Sequence, residues 1–122
     1  MSICAALSFS DKRALLLMQQ TGLLDSLNSI RASAIEYQQP VCIMVGLQGK
    51  DPAEKLSDAV NYGVRIIKPI LQIMGLKTVV IESEADVFKI APSVNYAYEF
   101  ERPVCFLLGS SPTVDGAKYD QT

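Results

Sequence analysis

Four short apolar runs punctuate the chain: ALLLM at 14–18, VCIMVGL at 41–47, TVVIE at 78–82 and VCFLL at 104–108. None alternates apolar with polar residues. Continuous apolar runs of this length predict strands buried on both faces, as in a parallel sheet covered by helices. Between the runs, apolar positions recur at helical spacing. Leu24, Leu27, Ile30, Arg31, Ala34 and Ile35 predict one core stripe, with Ser26, Ser29, Ser33 and Glu36 facing out. Val60, Val64, Ile67, Leu71 and Met74 predict another, which Gly75 is placed to stop and Pro69 to kink. A further helix opens at Ser83 with Asp86 as a capping-box partner and carries Val87, Ile90, Ala91, Val94 and Ala97, with a bend expected at Pro92. Residues 2–9 read as a short helix ahead of a turn at Asp11 and Lys12.

The resulting α-β-α-β-α-β-α-β order predicts a three-layer α/β/α sandwich with a parallel sheet. One domain over residues 1–108 is expected, followed by a polar, poorly ordered tail over 109–122, GSSPTVDGAKYDQT.

Composition narrows the chemistry. With 122 residues, 49% of them hydrophobic, the chain can bury a core without a disulfide or metal staple. It contains no histidine, so Ser-His or Cys-His hydrolysis cannot be run by this chain alone. The net charge of −2 and the lack of a basic stripe argue against nucleic acid as a partner. No apolar run reaches the roughly 18 residues of a membrane span, and no positive charge precedes the apolar N-terminal stretch as a signal peptide requires. Cys4, Cys42 and Cys105 fit neither a metal knuckle nor a disulfide framework; they read as buried thiols in a reducing, cytoplasmic protein.

Ligands of open α/β sheets bind at the carboxyl ends of the strands. The turns expected there are QQTGLLD, LQGKDPAEKLSD, ESEAD and GSSPT. In the first, Thr21 can cap a helix and Gly22 can bring backbone N–H groups close to an anionic or polar group. The same residues also suit an ordinary capped turn, and neither a GxGxxG nor a P-loop pattern is present. The second turn is long and carries Lys50, Asp51, Glu54 and Lys55, which suits either a lid or a solvated loop with balanced charges. Tyr96, Tyr98 and Phe100 read as a core or interface stripe rather than a cofactor box.

The order of these segments resembles a known family. ICAALSFSDKRALLLMQQTGLLDSLNSI is similar to GICAGAYLGGKKxALLMQNSGLGNSLNAL of thiamine-diphosphate enzymes, within the pyrimidine-binding domain of the sulfopyruvate and phosphonopyruvate decarboxylases. PVCIMVGLQG is similar to PxLLxVSxRG, YGVRIIKPILQIMGL to MGxATxPLLDALGI, and ERPVCFLL to KRPVALLL, so the likeness covers about residues 2–108 in register. It implies the third to sixth strands of a six-stranded parallel sheet, in the order 3-4-6-5, with two strands expected ahead of Met1. It also implies a 2-oxo acid substrate and a thiamine diphosphate cofactor with magnesium. A diphosphate-binding domain or β subunit supplies the GDG…N signature that this chain lacks.

The resemblance carries Gln20, Thr21, Gly22 and Asn28 over as cofactor-pocket residues, and Gln48 and Gly49 as the substrate loop. It assigns no catalytic residue within the chain. The family's catalytic glutamate falls a few residues before Met1, and neither Glu36 nor Glu54 takes its place by position. Three departures touch the pocket. A family glycine is Leu24 here, an asparagine is Asp25, and the arginine of the substrate loop is Gln48, which removes a cation that could hold an acid group. Without its two leading strands, ALLLM becomes an exposed apolar edge, so a homo-oligomer or a partner is expected to cover it. A decarboxylase subunit inactive on its own is one expectation. A non-catalytic assembly or regulatory module and an unrelated flavodoxin-like binding protein are the alternatives.

Overall fold

A computed structural model describes residues 1–110; apart from Gly109 and Ser110, the expected tail lies outside the described residues. Four strands, β1 (Leu15–Gln19), β2 (Cys42–Gly46), β3 (Lys77–Ile81) and β4 (Val104–Leu108), form one sheet in the order β1-β2-β4-β3. Every pairing is parallel, and Leu17, Met44, Phe106 and Val79 share one row across the sheet. The connections carry α1 (Ser2–Phe9), α2 (Gln20–Asp25), α3 (Leu27–Ile30), α4 (Tyr62–Ile73) and α5 (Ile90–Glu99). A π-helical turn (Arg31–Glu36) and two 3₁₀ turns (Leu56–Asp58, Glu84–Lys89) complete them. The α/β class read from the sequence is the one observed.

Strand geometry sends alternate side chains to opposite faces, and each face has its own core. On one, Ile43, Val45, Cys105 and Leu107 pack against Leu23, Ile30, Ala34, Val64, Ile67 and Leu71 of the α2–α4 layer. On the other, Cys42, Val104 and Phe106 meet Ala97, with Met44, Val79, Ile90, Val94 and Tyr98 at the margin. A single helix, α5, serves this second face, and it does not reach β1. Leu15 and Leu17 are therefore 53% and 66% exposed, which corrects the expectation that residues 14–18 are buried on both faces. β1 is also an edge strand, so one side of its backbone has no partner among the described residues.

The helical stripes are partly corrected. The first breaks into α2, α3 and the π-helical turn. That turn brings residues five apart into register, and Arg31, expected in the core, lies exposed and pairs with Glu36. Leu23, absent from the expected stripe, is fully buried instead. In α4 the buried positions are Val64, Ile67 and Leu71, whereas Val60 precedes the helix and is 82% exposed. Pro69 does not break α4. Gly75 ends it as expected: its φ is 71°, Leu76 N–H donates to Leu71 O at 3.0 Å, and Leu76 is buried. Asp86 and Ser83 form the expected capping box, but it opens a 3₁₀ turn in which Val87 is exposed. Ser93 rather than Ala91 is buried in α5, and Pro92 sits in its first turn, where its missing N–H breaks no intrahelical bond.

Cys42 and Cys105 are buried and Cys4 half-buried, all three as free thiols. Burial pushes the Cys42 thiol up and that of Cys105 up to about 12, so both are inert neutral groups at physiological pH. Among the described residues no helix is long and apolar enough to cross a membrane.

Candidate functional site

The carboxyl edge of the sheet is tied together by polar side chains rather than left as independent loops. Where β1 ends, the Gln20 side chain reaches across to the loop after β2. Its Nε2 donates to Gln48 O at 2.8 Å, and its Oε1 accepts from Gln48 N–H at 2.8 Å. The amide thus continues the β1–β2 ladder one step beyond the last paired residues, Gln19 and Gly46. Gln20 is buried, so both its polar atoms need these partners.

Gly49 follows, with φ 82°, a conformation that favours glycine. A β-carbon there would lie 3.0 Å from Asn61 Nδ2, while Asn61 Oδ1 caps α4 by accepting from Val64 N–H at 3.2 Å. The loop and the start of α4 are therefore fitted to each other through one asparagine.

Lys50 is the centre of the edge. Its side chain is 1% exposed, and its ammonium donates to Asp51 O at 3.1 Å and Glu54 O at 2.9 Å. It also pairs with Glu82 Oε1 at 3.2 Å, which fills its three donor positions. The stem runs beneath Gly109, where a β-carbon would lie 3.1 Å from Lys50 Cδ. Gly109 itself, expected to open the tail, is buried and donates its N–H to Ile81 O at 2.9 Å. Lys50 thereby joins the ends of β2, β3 and β4. The sequence left this loop as either a lid or a solvated loop, and neither reading buries Lys50; Gly109 is the residue that leaves room for its stem.

The expected site residues separate into groups. Gln20, Gln48 and Gly49 come together as described. Thr21 is exposed inside α2, not at its cap: Gln19 holds that position, with no side-chain bond. Gly22 faces Met18 of β1, and a β-carbon there would meet Met18 Cβ at an ordinary 3.5 Å. Asn28 belongs to a different surface. Its Oδ1 accepts from Arg31 Nε (3.1 Å) and Nη2 (2.9 Å), and it lines a groove of about 380 Å³ with Leu27, Ile35 and Met74. Leu24, expected to crowd a ligand, packs toward α4, its Cδ1 3.8 Å from the β-carbon position of Gly63.

The ESEAD turn adds a carboxylate of fixed charge. Asp86 is lowered to about 2, first by the Lys89 hydrogen bond and then by the Glu82 N–H it accepts at 2.9 Å. Among the described residues no group of histidine, cysteine or carboxylate side chains is placed to hold a metal. The edge offers backbone amides, the exposed Gln48 side chain and the half-exposed Glu82 carboxylate: donors and acceptors that orient a polar group. No protein-family model matches the chain, and no curated protein matches it.

Proposed function

We propose that the chain is a pyrimidine-domain module of a thiamine-diphosphate-dependent 2-oxoacid decarboxylase, supplying one wall of a cofactor pocket and inactive by itself. The observation that carries this reading is the sheet order β1-β2-β4-β3, all parallel, which coincides with the 3-4-6-5 order that the resemblance implies. The bonded pair Gln20 and Gln48 lies at the carboxyl edge, where such folds receive ligands. Residues Gln20 to Gly22, Gln48 and Gly49 form the wall; magnesium and the diphosphate are held by a partner domain or subunit. The same reading gives the apolar edge strand β1, with Leu15 and Leu17 exposed, to a partner or a second copy.

Backbone-amide NMR with thiamine, which carries the aminopyrimidine but no diphosphate, tests the wall. Millimolar thiamine is expected to shift the amides of Gln20, Thr21, Gly22, Gln48 and Gly49. Shifts confined to other surfaces, or tight binding of thiamine diphosphate with magnesium by the isolated chain, would overturn the reading.

A further inference from the structure

We propose a second binding site, for a small organic phosphate monoester, in the cleft between α4, the 3₁₀ turn Leu56–Asp58 and the end of β3. The cleft has a volume of about 410 Å³, within the range of small-molecule sites. Helical spacing builds its wall: Arg65, Lys68, Pro69 and Gln72 stand three, four and seven residues along α4 and so share one face. Lys55 closes the opposite side, while Leu56, Pro69 and Val80 give it an apolar lining.

Charge selects the ligand. Lys55, Arg65 and Lys68 surround one concavity in a chain whose net charge is −2. None of the three forms an ion pair among the described residues, where the pairs are Arg31–Glu36, Lys50–Glu82 and Lys89–Asp86. The one carboxylate lining the cleft, Glu82, is already engaged by the buried Lys50 ammonium at 3.2 Å. Three like charges around one cavity repel one another, and a dianion relieves that repulsion better than a monoanion.

Arg65 is also held in position. Its Nη1 donates to Ala59 O at 3.1 Å and its guanidinium lies 5.3 Å from the centre of the Tyr62 ring, leaving further N–H groups of the fork for phosphate oxygens. The apolar lining suits the ester substituent. The cleft opens near the carboxyl end of β3, the side of an α/β sheet on which ligands bind, and it does not depend on the thiamine reading.

The test is amide NMR titration of the full chain at low ionic strength with phenyl phosphate, inorganic phosphate and phenylacetate as probes. Phenyl phosphate is expected to shift the amides of Leu56, Ser57, Arg65, Lys68 and Val80. It should bind about tenfold more tightly than either inorganic phosphate, which lacks the apolar part, or phenylacetate, which lacks the second charge. The double variant R65Q/K68Q should lose at least about tenfold in affinity. The exposed-loop variant K55Q gives a weaker loss in the same direction and guards against misfolding of the α4 variant. Shifts centred on other residues, equal affinity for the three probes, or full binding by a folded R65Q/K68Q protein would overturn the site.

Discussion

Replacing Glu82 by Gln should destabilise the protein more than replacing Lys50 by Met, although Lys50 makes every bond of the cluster. The attraction between the two charges at 3.2 Å is about 5 kcal/mol at an effective dielectric of about 20. Against it stands the desolvation of an ammonium whose side chain is 1% exposed, a penalty of several kcal/mol in real proteins. In Glu82→Gln the ammonium stays buried and loses its counter-charge. Removing one partner of a fully buried pair costs about 3–5 kcal/mol, and the 46% exposure of Glu82 reduces this to about 1–3 kcal/mol. In Lys50→Met the charge and its desolvation penalty vanish together, and methionine keeps most of the stem. The carbonyls of Asp51 and Glu54 then take water at an exposed loop, so the net loss is about 0–1.5 kcal/mol. Urea unfolding followed by far-UV circular dichroism reads the difference. With a urea slope of about 1–3 kcal/mol/M, the Glu82→Gln midpoint should fall further than that of Lys50→Met by several tenths of a molar unit. The reverse order would refute the reasoning and show that the two loop carbonyls, not the charge pair, dominate the cluster.

Gly75→Ala forces alanine to a φ of 71° without meeting any neighbour, so only backbone strain of about 1–2 kcal/mol is added; Tm should fall by several degrees, and an unchanged Tm would contradict the capping role. Asp86 has its folded pKa lowered from 3.8 to about 2, so its contribution is full above the unfolded value and lost as pH falls through about 2. The stability gap between wild type and Asp86→Asn should therefore shrink across that window, and a gap that stays constant there would count against the Lys89 and Glu82 bonds as its source. Titration with a thiol reagent at mildly alkaline pH should modify the half-buried Cys4 first and reach Cys42 and Cys105 only on unfolding; early loss of the latter two would show that the sheet opens. Light scattering at micromolar concentration should report association that Leu17→Lys abolishes, and a monomeric wild type would remove the β1 edge as an interface.

Strand positions and their parallel pairing were legible because burial imposes a composition on each strand: β2 and β4 read as continuous apolar runs and are buried on both faces. The same rule fails at β1, where exposure depends on what lies beside the strand, and no residue within LLLMQ records that α5 stops short of it. The α4 terminus was legible for a local reason, since Gly75 meets a need of its own backbone. The π-helical turn was not. A one-residue widening shifts Arg31 off the core face without any change in the apolar spacing that predicts a regular helix. Of the site, Gln20, Gln48 and Gly49 were reached through resemblance. The burial of Lys50 was not legible because it follows from three chain segments meeting, a fact spread over residues 50–109 and carried by no single motif.

The two ends of the sheet are maintained by different physics, and this bears on where a ligand belongs. At the amino edge a cavity of about 400 Å³ is lined by Asp11, Gln38 and Glu101, which have φ of 55°, 53° and 51°. Each lies just past a helical terminus, and in a parallel α/β chain all such termini return to this edge. These three residues meet a backbone requirement that glycine would meet more cheaply, so their side chains are free to vary as far as the fold is concerned. At the carboxyl edge the reverse holds. Gln20 and Lys50 are buried, every side-chain nitrogen and oxygen of the two has a named partner, and no residue of similar volume offers the same set. An edge held by side-chain bonds keeps its backbone amides fixed before any ligand arrives, which lowers the ordering cost of binding there. That preorganisation, more than the presence of any one polar residue, is what separates the carboxyl edge physically from the amino edge.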